Sequence, residues 1–169
     1  MLPGRFTAAE RRRIFEMYDP LTTGDSSLSE SIQAIAAADV GKYRTAEEYL
    51  IDAMSVDMAD TAGNVRDGVH VASAGGTWMS LVFGFGGVRW RQGDISFRPM
   101  LPTRARRLRF PIMVRGNRLR VDIQPHSVTY TLESGESLDL SHYDEPIRVT
   151  AGSPATFDGD FHTRDTDGR

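Results

Sequence analysis

An α+β fold in two segregated parts is what this sequence predicts, and three observations predict it. Apolar residues recur at helical spacing up to residue 87. Beyond that point the apolar period drops to two, the mark of half-buried strands. Charge changes sign at the same place. Residues 1–87 hold 7 basic and 12 acidic side chains, residues 88–151 hold 11 and 7, and residues 152–169 hold 2 and 4. Opposite charge predicts two units that attract one another, with a nucleic-acid footprint on the basic part as the rival reading.

The helices follow in order. Thr7 is placed to cap a first helix over AAERRRIFEMY, with Ile14, Phe15 and Tyr18 on one face. Ser27 and Glu30 have capping-box spacing and open a second helix. Its Ile32, Ile35 and Ala36 recur at helical spacing, and Gly41 is placed to end it. Thr45 with Glu48 is another box, ahead of AEEYLIDAMSVDMA, where Tyr49, Leu50, Ala53 and Met54 form an apolar stripe. After the loop DTAGNVRDG, the run VHVASAGGTWMSLVFGFGG predicts a fourth helix buried on all sides, Trp78 included. Gly75 and Gly76 cost that helix stability but let a neighbouring backbone approach. The run has no polar face for solvent, so residues 1–87 read as part of a larger helical array.

The strands are shorter. RRLRFPIMV places Leu108, Phe110 and Ile112 on one face, and Pro111 there suits an edge strand. Gly116-Asn117 signals a turn, and RLRVDIQ resumes with Leu119, Val121 and Ile123 inward. VTYTL (Val128, Tyr130, Leu132), the turn ESGE, SLDL and IRVT complete an antiparallel series of sandwich type over 88–151. From residue 152 onward periodicity is lost, and a disordered tail is expected.

Composition sets the outer bounds. The 169 residues suffice for one domain or two small ones. No apolar stretch approaches the length of a membrane span, and residues 1–15 carry no apolar signal core. Cysteine is absent, which removes disulfides and thiolate zinc sites and fits a cytoplasmic location. His126, His142 and His162 fall in turn or tail contexts with no second ligand at metal spacing, so no metal is expected. The arginines at 104, 106, 107, 109, 115, 118 and 120 either form a nucleic-acid strip or are the solvent face of paired strands. No aromatic residues interleave for base stacking, which disfavours the first.

The stretch YDPLTTGDSSLSESIQAIAAADVG, residues 18–41, crowds short hydroxyl side chains ahead of a helix. Capping uses one serine and a glutamate. The surplus fits a site where hydroxyls and helix-end amides meet something small and oxygen-rich, such as phosphate, sugar or water.

Three stretches carry a resemblance: YDPLTTGDSSLS (18–29), DGVHVASAGGTWMSLVFGFGGVR (67–89) and ISFRPMLP (95–102). Together they resemble the glycoside hydrolase family 65 enzymes, the maltose, trehalose and kojibiose phosphorylases and their hydrolytic relatives. The likeness spans about residues 12–150 and corresponds to the C-terminal end of a family member. It implies the last helices of an (α/α)6 barrel over residues 1–87, then a small β-domain.

It also implies inverting attack on an α-glucosidic bond, by inorganic phosphate or by water, with a glutamate general acid upstream of anything present here. No cofactor is implied; phosphate is a co-substrate beside an α-linked glucose disaccharide. The phosphate subsite carries over to Ser26 and Ser27 in the loop and to His70, with Gly75, Gly76 and Thr77 beside them. Many relatives have a histidine where this chain has Gly24. If water is the nucleophile, Asp25 suits the general base, since inverting hydrolases hold their two carboxyl groups about 6.5–9.5 Å apart. The chain alone is expected to be inactive. It reads either as a piece of a disaccharide phosphorylase needing a complementing chain, or as a non-catalytic module that binds carbohydrate or a partner.

Overall fold

In the computed structural model, residues 6–24, 26, 28–59, 66, 68–91 and 93–163 are described. They fall into two units, a helical one ending at Gly84 and a β unit from Phe85 to Thr163.

Thr7 caps α1 (Ala8–Tyr18) as its spacing predicts. Its hydroxyl accepts the Glu10 amide at 3.2 Å, and the Glu10 carboxylate accepts the Thr7 amide at 2.8 Å. No α1 residue is buried. The helix is tied down by charge instead, through Arg11 to Asp39 at 2.9 Å and Lys42 to Glu16 at 3.3 Å. A 3-10 turn over Asp19–Leu21 follows, with Pro20 supplying its fixed φ.

α2 runs Ser29–Asp39. It begins one residue later than the capping-box spacing predicts: Leu28 takes the N-cap position without a side-chain bond, and Ser27 lies outside the described residues. Its buried face is Ser31, Ala34, Ile35, Ala37 and Ala38, whereas Ile32 is exposed. Gly41 ends it as expected. At φ +80° it lets its own amide reach Ala38 O (3.2 Å) and the Lys42 amide reach Ala37 O (2.9 Å), the paired bonds of a Schellman turn. That turn also explains why Thr45 is no cap. Lys42 leaves it with its carbonyl already accepting the Ala46 amide at 2.9 Å, so α3 (Tyr43–Met58) starts before Thr45. Small buried side chains on both helices, Ala34 and Ala37 on α2 and Ala46 and Ala53 on α3, suit the close packing of the pair.

α4 (Val71–Met79) continues into a π-helical turn, Ser80–Phe85. The expectation of a helix buried on all sides is corrected here. Only Ser73 and Gly76 are buried within α4, while Val71 is 77 % and Trp78 47 % exposed. A nine-residue helix offers only a narrow stripe to its neighbours α2 and α3, and the rest of its surface stays open. Ser80 Oγ lies 3.0 Å from the carbonyls of both Gly76 and Ser31, stitching that stripe closed.

The β unit has two four-stranded sheets. One runs β1-β2-β6-β7 (Arg89–Arg91, Asp94–Phe97, Ser137–His142, Glu145–Thr150). The other runs β3-β4-β5-β8 (Leu108–Val114, Asn117–Gln124, Ser127–Ser134, Ala155–Asp158). Alternation held where the sequence showed it: Leu119, Val121, Ile123, Val128 and Tyr130 are fully buried, with Phe97 and Val149 from the first sheet. Pro111 lies on β3, an edge strand, where a missing N–H costs no ladder bond.

Three features differ from expectation. The β3–β4 loop is Arg115-Gly116, not Gly116-Asn117: both have positive φ (49° and 80°), as a two-residue primed turn requires. β2 pairs parallel to β6, a long-range pairing that no local pattern encodes. Residues 155–158 are not a tail but β8, added to the edge of β5; four residues between Gly- and Asp-rich flanks are too few to register a period.

The arginine-rich strands are largely neutralised. Arg107 pairs with Asp122, Arg118 and Arg120 share Glu133 at 2.9 and 2.7 Å, and Arg115 reaches Gly93 O and Asp94. This favours the solvent-face reading over a strip of free cations.

Candidate functional site

The residues picked out for anion binding sit at two places in the helical unit, the loop before α2 and the start of α4. Of the loop residues, Asp25 and Ser27 lie outside the described residues. Ser26 is exposed; its Oγ accepts the Leu28 amide at 3.3 Å, and its carbonyl accepts the Ser29 amide at 2.9 Å. A serine oxygen thus closes a local turn leading into α2. Gly24 turns the chain at φ +70°, and a Cβ there would stand 3.6 Å from Glu30 Oε1.

His70 takes the N-cap position of α4, half-buried, with its carbonyl accepting the Ala74 amide at 3.1 Å. Gly75 is exposed with open space where a Cβ would go. Gly76 is the opposite case: a Cβ there would meet Ser31 Oγ at 2.5 Å and Ser31 Cβ at 2.9 Å. Glycine at 76 is what lets α4, which carries the second motif, lie against α2, the helix that follows the serine-rich loop. Thr77 is half-buried one residue further on.

A polar network beside this loop was not foreseen. Asp19 Oδ1 accepts from Tyr49 Oη at 2.9 Å and from Gln33 Nε2 at 3.2 Å, and Gln33 Nε2 also reaches Tyr49 Oη at 3.1 Å. It joins the 3-10 turn to α2 and α3 and so anchors the start of the serine-rich loop. Burial, then the bond to Asp19, pushes the Tyr49 phenol up to about 12, so it stays a donor at any physiological pH. Glu30 Oε2 and Ser31 Oγ are buried polar atoms with no hydrogen-bond partner among the described residues. Asp19 lies inside a quoted motif, but Gln33 and Tyr49 reach it across 14 and 30 residues, a separation that spacing rules do not cover.

His142 is also misplaced by the sequence reading. It ends β6, is 7 % exposed, and stacks in the core of the β unit instead of sitting in a turn. Among the described residues no group of three His, Asp or Glu side chains is arranged to hold a metal ion. No helix of the described residues is long and apolar enough to cross a membrane.

Both units match one family in order along the chain. Residues 1–79 match the profile of the glycosyl hydrolase family 65 central catalytic domain, and residues 88–149 match that of the family 65 C-terminal domain. The chain belongs to glycosyl hydrolase family 65. An uncharacterised glycosyl hydrolase of Mycobacterium leprae (strain TN) is 40% identical over 153 residues, covering 89% of this chain and 19% of the relative. The α,α-trehalose phosphorylase of Geobacillus stearothermophilus is 35% identical over 147 residues, covering 82% of this chain and 19% of that enzyme. In fold, a protein assigned as a kojibiose phosphorylase from the human microbiome superposes with a TM-score of 0.85 at 24% identity, over 91% of this chain and 21% of its own length. This family 65 chain therefore spans about a fifth of the length of the relatives it matches.

Proposed function

We propose that this chain supplies the closing helices of an (α/α)6 catalytic barrel and the following β-sandwich domain of an inverting α-glucoside phosphorylase. One observation carries the reading. Of the large apolar side chains left exposed among the described residues, all but Trp90 and Met113 lie in the helical unit, on all four helices and the turns beside them. Open apolar faces of this extent belong against further helices. The remaining four-fifths of a family 65 enzyme is where those helices, and the general-acid glutamate, are expected.

In this reading phosphate attacks the anomeric carbon from the face opposite the leaving oxygen. The glycosidic C–O bond breaks as the new C–O bond to phosphate forms, and the glutamate's proton goes to the leaving oxygen. A dianion in such a site needs converging donors. Ser26, Ser27 and His70 would supply hydroxyl and imidazole N–H groups, with the Thr77 hydroxyl and the side-chain-free surface at Gly75 and Gly76 beside them. Asp25 takes a role only if water replaces phosphate, as the base that deprotonates it.

The test is to mix the chain with a family 65 polypeptide ending before the serine-rich loop, then offer trehalose, maltose and kojibiose. Phosphate-dependent release of β-glucose 1-phosphate supports the proposal. Free glucose formed without phosphate moves the nucleophile to water and the focus to Asp25. No turnover, with sugar binding retained by the chain, makes it a non-catalytic module.

A further inference from the structure

Residues 155–163 cross the β unit as a strap. β8 pairs with the outer edge of β5 from Ser127↔Asp158 to Tyr130↔Ala155. Beyond it the Gly159 amide donates to His126 O at 3.1 Å, the Phe161 amide to Pro125 O at 3.0 Å, and the Leu101 amide to Phe161 O at 2.6 Å. Two rings hold the strap from within. Phe157 stacks on the His142 imidazole, centroids 4.1 Å apart and planes 17° apart, and Phe161 meets the same imidazole edge-on at 6.1 Å.

The imidazole is itself buried, with Nδ1 2.8 Å from the oxygen of the fully buried Tyr130. Burial pushes the Tyr130 phenol well above its ordinary value, so the phenol keeps its proton and donates it to Nδ1. The neutral ring then carries its own proton on Nε2. A second proton, on Nδ1, turns that acceptor into a donor. The phenol hydrogen must then turn away into an apolar core, and a positive charge stands where Phe157 and Phe161 pack.

We propose that His142 and the strap form an acid-sensitive latch: a proton on the buried imidazole frees residues 155–163 and bares the outer edge of β5. The groups facing the ring are Phe97 across from β2, Tyr130 from β5, Tyr143 from the turn after β6, Glu145 from β7, and Phe157 and Phe161 from the strap. Only Glu145 among them is charged at neutral pH. It favours the proton, but burial opposes it more strongly and holds the imidazole below its ordinary value. The latch is therefore closed above about pH 6.5, the ordinary histidine value, and weakens as pH falls below it. A bared edge of β5 presents unpaired amides and carbonyls, a template for another strand.

Hydrogen exchange on the full chain at pH 7.5 and pH 5, corrected for intrinsic exchange, tests the latch. Amides of 155–163 should lose protection about tenfold at the lower pH, while the β3–β4 hairpin keeps its own. The double variant His142→Phe with Tyr130→Phe removes the titrating ring without orphaning the hydroxyl, and should flatten the pH dependence. Unchanged protection of the strap in the native chain, or a loss that persists in the double variant, overturns the proposal. Should that variant not fold, the His142 ring signal followed by NMR in the native chain decides: a midpoint at or above 6.5 overturns it.

Discussion

Gly75 and Gly76 are adjacent in sequence and opposite in consequence. Gly76→Ala drives a methyl into Ser31 at 2.5–2.9 Å, and the cost should be about 1–3 kcal/mol as α4 is pushed off α2. Gly75→Ala meets open space inside a helix and should stabilise the chain by about 0.5–1 kcal/mol. Urea midpoints of the two variants check both signs at once. In the β unit, the Arg107 guanidinium holds the Asp122 carboxyl below its ordinary range. A depressed folded value means the pair stabilises the fold above the unfolded value, and that the stabilisation disappears as pH falls through the folded one. Asp122→Asn should therefore lower the urea midpoint at pH 7, and lower it progressively less as the pH falls below the ordinary carboxylate range.

At the scale of elements, the α2–α3 joint rests on one left-handed residue. Gly41→Ala places a Cβ at φ +80° and should cost about 1 kcal/mol, read as a lower thermal midpoint of the helical signal. The same joint shows what spacing alone misses. Thr45 and Glu48 have the separation of a capping box, yet the Schellman turn at Gly41 starts α3 earlier and leaves Thr45 inside the helix. Thr7, by contrast, caps α1 as its position predicts, and Glu10 completes the box. In the sheets, Leu119 to Ile123 and Val128 to Leu132 were legible because each strand buries one face; β8 was not, because its place depends on the free edge of β5.

Across the whole molecule, stability should be uneven. α1 buries no residue and is fastened by the Arg11–Asp39 and Lys42–Glu16 pairs, which salt screens. β4 and β5 each have a paired strand on both sides and inward faces that are fully buried. Hydrogen exchange should find residues 8–18 the least protected helix, losing further protection on going from low salt to 1 M, while 117–132 stays the most protected and is insensitive to salt. Equal protection of the two regions would contradict this distribution.

By itself the sequence determined the division into helices then strands, the alternating faces of β4 and β5, the caps at Thr7 and Gly41, and through three quoted motifs the family. These are local properties, carried by residues within a turn or a strand of one another. Tertiary structure alone decided the rest. That Gly76 serves contact with Ser31, that Asp19, Gln33 and Tyr49 share one network, that Trp78 faces outward, and that His142 is enclosed beneath a strap all depend on residues far apart in the chain. Apolar period states that a face will be buried; it is silent about which distant element does the burying, and in α4 most of that apolar surface is left bare.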